Sequence, residues 1–255
     1  KNFGLPQNRP RVYMVAFSRD YFGKHLDVLP KETPTEGRKE IFHSVLDILD
    51  TEVSERFFLS SGLLETLEKH RARQKSNGNG FGYRVVNDTS ITRPLAHTIL
   101  ATGGSGKERN LIYDPVNGRD IAGTDVKGKK TPINGKCIRT MTPEEWGRLQ
   151  GFIGYAFLDG NGKETFSFPE KMSNQQKFKQ FGNSVSIPLI EEMALFIKDC
   201  VTRMEAEFSE EEREHYKIPG ALLKVQNDIR KLLKNEKSKT VEKCCRLVSE
   251  IGLSN

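Results

Sequence analysis

Two arginines separated by one residue, Arg9 and Arg11 in Gln7-Asn8-Arg9-Pro10-Arg11, lead into the β-branched and aromatic run RVYMVAF at 11–17. Alternate residues of an extended chain share a side, so both guanidiniums are expected to converge on one anionic or carbonyl-rich ligand. A basic strand edge that deters aggregation would read the same way, and this spacing alone does not choose between them. More specific is Arg139-Thr140-Met141-Thr142-Pro143-Glu144-Glu145-Trp146-Gly147-Arg148-Leu149-Gln150-Gly151-Phe152. Its Thr cap, Pro at the first helical position and Glu at the third predict a helix that ends near Gly151. About thirty residues on comes Phe181-Gly182-Asn183-Ser184-Val185, after a helix capped by Ser173.

The elements that must hold these residues follow from pattern. The run 11–17 predicts a buried strand after a Gly-Leu-Pro-Gln turn. SVLDILDTEV and SGLLETLEKHRARQK predict two helices between 33 and 76, the second opening at a Ser cap and closing in basic residues that suit the helix dipole. YRVV, HTIL and NLIY predict short strands between Tyr83 and Asp114. Residues 115–136, rich in Gly and Lys, predict an exposed loop or long hairpin. An apolar helix is expected from Ile187 to Met204, a capping box at Ser209 and Glu212, and charged amphipathic helices over 220–251.

Composition narrows the classes. The 255 residues are 36% hydrophobic and 29% charged, a globular balance for one or two domains, and no apolar run reaches a membrane-spanning length. Cysteines 137, 200, 244 and 245 form no CxxC pair and no disulfide framework, which points to a reducing compartment. The five histidines are scattered, so no metal site is expected. The net charge of +6 and two basic stretches, 69–75 and 127–139, suit a polyanion partner and equally a solvated face. The chain starts at Lys1 rather than Met, which reads as a cut start: a truncated form, a proteolytic product or one piece of a split enzyme.

In order and wording the three motifs resemble the closing motifs VIII, IX and X of the DNA (cytosine-5) methyltransferase family: QxRxR, RxLTPxExxRLQGF and a GNSV-type signature, over roughly residues 1–205. That family places its target recognition domain between the first two and marks it by a Thr followed by Leu, Ile or Val, which Thr98-Ile99 fits. Thr102, Gly103, Gly104, Lys107 and Arg109 form a donor-rich glycine loop beside it, suited to close approach to double-stranded DNA. NGNGFGY at 77–83 is a candidate second loop.

The resemblance implies a flipped cytosine, attack by a Cys thiolate on ring carbon 6 and methyl transfer from S-adenosyl-L-methionine to carbon 5. It casts Arg11 as donor to the exocyclic oxygen, Arg9 as support for the DNA backbone or catalytic loop, and Gln7 as the residue ordering the turn. Asn183, Ser184, Phe181 and Gly182 would border the cofactor, with Gly182 letting the backbone bend around it. Arg139 is placed with the DNA-binding set, chiefly as a brace between domains, and Arg148 is given no chemistry.

The sequence departs from the family in having no Pro-Cys dipeptide, no Glu-Asn-Val triplet and no N-terminal cofactor loop. The expectation is therefore the C-terminal portion of a methyltransferase, inactive alone, partnered by an N-terminal half, cytoplasmic in a microbe and part of a restriction-modification system. A non-catalytic DNA-binding module is the alternative. The expected fold is α/β. Residues 1–20 and 171–207 would belong to an incomplete Rossmann-like domain, 21–170 to a small, mostly β recognition domain, and 208–255 to a helical extension.

Overall fold

A computed structural model describes residues 1–78, 83–102 and 110–215. In chain order the elements are β1 (Gln7–Asn8), α1 (Arg19–Phe22), α2 (Ser61–Ser76), β2 (Arg84–Val85), β3 (Ala96–His97), β4 (Asn110–Tyr113), α3 (Pro115–Gly118), β5 (Ile138–Thr140), α4 (Pro143–Gln150), α5 (Asn174–Asn183), α6 (Ile187–Ala206) and α7 (Glu210–His215). The fold is mixed α/β with small sheets. It divides into two units, one of Lys1–Met14 with Glu32–Phe196, the other of Val15–Lys31 with Ile197–Asn255.

In the first unit β4 is the middle strand of three, parallel to β2 and antiparallel to β5 with Ile112 opposite Arg139. Strand side chains alternate in direction, and β4 uses both faces. Leu111 joins Leu59, Leu64 and Ile138, which packs α2 against one face. Ile112 joins Val45, Ile48, Met141, Trp146, Leu149, Phe178 and Phe181, which packs α4 and α5 against the other. Each such buried apolar side chain contributes about 1.5–3 kcal/mol. A second, two-stranded sheet pairs β1 with β3 in parallel, Gln7 opposite Ala96. Asn110 ties the sheets together: its amide accepts from the His97 N–H at 2.8 Å and donates to the His97 carbonyl at 2.9 Å.

Local capping acts as the residue types require. Thr142 accepts from the Glu145 N–H while Glu145 accepts from the Thr142 N–H, and Gly151 closes α4 at φ 79°, a left-handed conformation that favours glycine. Ser173 and Gln176 make the same reciprocal box at α5, as do Ser209 and Glu212 at α7. Ser60 caps α2.

Three expectations need correction. Residues 11–17 form no strand: among the described residues nothing pairs with them, and Val12 and Met14 are 90% and 93% exposed. Strand propensity needs a partner ladder to act through. SVLDILDTEV gives only a 3-10 turn at Val45–Ile48, because the Asp50 N–H is taken by the Glu145 carboxylate and its own carboxylate is held by Thr142 and Arg148. Within 115–136 there is a short helix rather than a hairpin, and Ile133 and Asn134 are buried. The Asn134 amide donates to the Leu59 and Ile138 carbonyls at 2.6 and 2.8 Å, pinning that segment to the sheet.

The second unit has its own aromatic cluster. Tyr21 and Phe208 lie near Phe22, and His25 sits against Phe208 with its ring 3.1 Å from Glu212. Cys200 and Met204 of α6 are fully buried. The helices expected at 220–251 lie outside the described residues. Among those described, no helix is long and apolar enough to cross a membrane, and no cluster of His, Cys, Asp and Glu could hold a metal.

Candidate functional site

The Arg9 side chain joins motif VIII to motif X. β1 ends at Asn8, and the next residue, Arg9, donates to the carbonyl of Ile99 at 2.8 Å, of Gly182 at 3.0 Å and of Ser184 at 2.8 Å. The opening of the chain, the segment after β3 and the end of α5 are thus held by one planar donor, a task suited to the five-donor guanidinium. Burial, with the Arg11 charge behind it, draws the Arg9 pKa below its ordinary value, while Tyr13 acts the other way.

Arg11 does not converge with it. Its guanidinium donates to the adjacent Pro10 carbonyl at 2.8 Å and the residue is exposed. The separation has a physical cause: Arg9 and Arg11 lie beyond the two-residue strand, so strict alternation does not govern them. Gln7 is 4% exposed in β1, and its side-chain nitrogen has no hydrogen-bond partner among the described residues.

At α5 the four expected cofactor residues divide. Phe181 is 2% exposed and packs edge-on against Phe168 and Phe152 at ring separations of 5.1 and 5.5 Å. A Cβ on Gly182 would stand 2.5 Å from the backbone of Leu100 and Ala101. Its glycine therefore serves a close approach of two backbones rather than a flexible bend. Asn183 is exposed, while Ser184 is half-buried with its hydroxyl donating to the Phe181 carbonyl at 2.7 Å. The surface offered here is that of Asn183, Ser184 and Val185, the last 44% exposed.

The DNA-binding candidates divide as well. Thr98 is half-buried and its hydroxyl donates to the Asn8 carbonyl at 2.9 Å. Ile99, only 2% exposed, is a core residue that cannot reach a base edge. Thr102 is exposed, and Gly103, Gly104, Lys107 and Arg109 lie outside the described residues, as does most of the candidate loop at 77–83.

Arg139 is 0% exposed, which corrects its place among the DNA contacts. It donates to Asp114 at 2.7 Å and reaches both oxygens of Glu145, at 2.9 and 2.8 Å. Burial opposes its charge, yet the bonds to Glu145 and Asp114 outweigh that and raise its pKa. The bracing expected of it is thus internal, β5 to α4 and to the residue before α3. Arg148, given no chemistry above, donates to Asp50 at 2.6 Å and the Ile48 carbonyl at 3.0 Å, holding the Val45–Ile48 turn.

Sequence reasoning passed over Asn110 and Asp50, whose side chains organise this region. The signal for Asn110 was present: Asn is disfavoured in strands, so an Asn opening NLIY implies a specific bond. Asp50 gave none, because its partners Thr142 and Arg148 are more than ninety residues away.

Motif order, the Arg9 bridge between the first and last motifs, and the capped helix between them define the chain's class. It belongs to the C-5 cytosine-specific DNA methylase family, which it matches over residues 1–199. Type II methyltransferase M.HpaII of Haemophilus parainfluenzae is 36% identical over 192 residues, 75% of this chain and 46% of that protein. Type II methyltransferase M1.ScrFI of Lactococcus lactis subsp. cremoris is 30% identical over 195 residues, 76% of this chain and 40% of its own length. The DNA-cytosine methyltransferase of Escherichia coli K12 is 29% identical over 215 residues, 83% and 42% of the two chains. The chain spans less than half the length of these curated relatives. The solved Entamoeba histolytica methyltransferase EhMeth aligns at TM-score 0.44 and 17% identity, covering 78% of this chain and 51% of that one.

Proposed function

We propose that this chain is the DNA-choosing, cofactor-closing part of a DNA (cytosine-5) methyltransferase, acting on a cytosine turned out of double-stranded DNA. Its role would be the modification arm of a microbial restriction-modification pair. The observation that supports this most is the Arg9 guanidinium on the Ile99, Gly182 and Ser184 carbonyls. Cofactor motif, recognition mark and arginine motif can act on one nucleotide only if they share one neighbourhood.

In this reading Arg9 keeps the neighbourhood together, while the exposed Arg11 exchanges its bond to Pro10 for one to the cytosine's exocyclic oxygen as charge grows on the ring. Such a donor acts mainly in the transition state, so it governs turnover more than affinity. Thr98 and Thr102 would stand on the side that meets the DNA. Residues 21–170 would form the recognition domain between two catalytic segments of Rossmann-like type, 1–20 and 171–207, with an extension from 208 on, of which 216–255 lie outside the described residues.

S-adenosyl-L-methionine fits the α5 end in part. The Asn183 side chain has no protein partner among the described residues and Val185 is exposed, so they and Ser184 would border its methionine end. Phe181 and Gly182 stand behind them as packing. When bound, that cofactor supplies an electrophilic methyl group. Asn183 would orient it through its amide, and the apolar Val185 would keep water off that side.

The nucleophile must come from an N-terminal half, since no cysteine here follows proline, and the chain by itself would not turn over. The exposed Val12 and Met14, two residues apart and next to β1, are suited to receive a strand from that half.

The test is Arg11→Ala in an enzyme reassembled with a cognate N-terminal half. Turnover is expected to fall about 100-fold or more, with DNA affinity held within about threefold. A loss of affinity with turnover preserved would move Arg11 to phosphate binding and overturn the assignment.

A further inference from the structure

A cavity of about 680 Å³ lies between the start of α2 and the 128–131 segment, away from the Arg9 neighbourhood in sequence and lining. Three cations border it, Arg56, Lys129 and Lys130, and no Asp or Glu does. Among the described residues none of the three makes an ion pair. Arg56 lies over the Phe57 ring at 5.0 Å, and the half-buried Lys129 ammonium donates to the Arg56 carbonyl at 3.0 Å. Burial draws the Lys129 pKa down, with the Glu55 charge only partly opposing it. Cations gathered with no ion-pair partner among the described residues, one of them half-buried, are a standing site for an anion.

The helix start does not supply this site. The first N–H groups of α2 are already taken: Ser61 by Pro132, Gly62 by Thr131, Leu63 by Ser60. Selection therefore rests with the three side chains. The floor is apolar, of Phe57, Leu63 and Phe178, and the volume falls in the range of small-ligand sites, far more than a bare phosphate fills. Phosphate at the rim and a flat, weakly polar group on aromatic and aliphatic carbon is the chemistry of a nucleotide unit.

We propose that this cavity seats one nucleotide of a DNA strand outside the target cytosine, its phosphate on Arg56, Lys129 and Lys130 and its sugar and base on the Phe57–Leu63–Phe178 floor. The site rests on the reading of the chain as a DNA-acting enzyme and adds a contact that is independent of base sequence. It accounts for part of the basic stretch at 127–139, in which Arg139 turned inward.

The test is an NMR titration of the 15N-labelled chain with the 5′-phosphorylated dinucleotide pTpT. Saturable shifts are expected at the amides of 56–63 and 128–131, with affinity about tenfold lower in Lys129→Gln/Lys130→Gln and also lower in Arg56→Gln. Lys130→Gln alone, at an exposed residue, keeps the test should the double variant fail to fold. Absence of shifts in those segments, or equal affinity in the folded variants, overturns the proposal. Methyl transfer by the reassembled enzyme is read separately: transfer without pTpT binding sinks this site alone, and pTpT binding without transfer sinks only the enzyme reading.

Discussion

The Arg9 guanidinium donates to the Ser184 carbonyl at 2.8 Å, although 175 residues separate them in the chain. The same nitrogen donates to Gly182 and its neighbour to Ile99, so three backbone segments depend on one side chain. Charged donors to carbonyls contribute about 1.5–3 kcal/mol each, and shared ones less than their sum. Arg9→Ala is expected to lower the unfolding free energy by about 2–4 kcal/mol in urea denaturation. Arg9→Lys should recover less than half, because an ammonium cannot span three acceptors as a planar fork does. A loss below about 0.5 kcal/mol would show that the bridge is ornamental.

Arg139, Asp114 and Glu145 form a buried triad, and removing one member strands the others. Arg139→Ala should cost about 3–5 kcal/mol, the range for an uncompensated buried charge. Burial pushes the Asp114 carboxyl up, but bonds from Asn117 and Arg139 outweigh it and hold its pKa below the usual value. A depressed carboxyl stabilises the fold above its unfolded pKa, near 4, and that contribution is lost as pH falls through the lower folded value. Thermal melts are therefore expected to show stability falling below about pH 4, with a shallower fall in Asp114→Asn. Identical acid limbs in the two proteins would contradict the assignment.

Tyr155 lies hydrogen-bonded to Glu191, beneath the Lys39 ammonium, 4.6 Å from the ring centre. Burial first, then the bond to Glu191, pushes its pKa up to about 12. A raised pKa means stability present below the unfolded value, near 10, and lost as pH rises toward the folded one. Ultraviolet titration should show a late tyrosine step beyond about pH 11, and Tyr155→Phe should remove it. A variant with the full late step would place that tyrosine elsewhere.

Gly182 meets the Leu100–Ala101 backbone where a Cβ would come within 2.5 Å. Backbone cannot move aside as a flexible side chain can. Gly182→Ala should therefore destabilise the chain by about 1–3 kcal/mol with or without S-adenosyl-L-methionine. Wild-type stability together with lost cofactor binding would restore the bending role expected of it from sequence.

These cases show what the sequence makes legible. The caps at Thr142, Ser173 and Ser209 were readable because each box closes within four residues, and Gly151 because its left-handed turn is local. The run at 11–17 was misread because a strand is a relation between chains, and Val12 and Met14 carry the propensity without the partner. Arg139 and Ile99 resemble surface readers in a motif, yet partners distant in sequence, Asp114 for one and the core around Ile112 for the other, draw them inward. Gly182 was recognised as special, but only the approach of Leu100 says why.

The most direct measurement of the central claim is transfer of tritiated methyl from S-adenosyl-L-methionine to DNA by this chain mixed with a cognate N-terminal half that carries Pro-Cys. The expected result is label on carbon 5 of cytosine within one short DNA sequence, with none from either half alone. Well-folded halves that associate and still transfer no label to DNA, or that label another position, would contradict it.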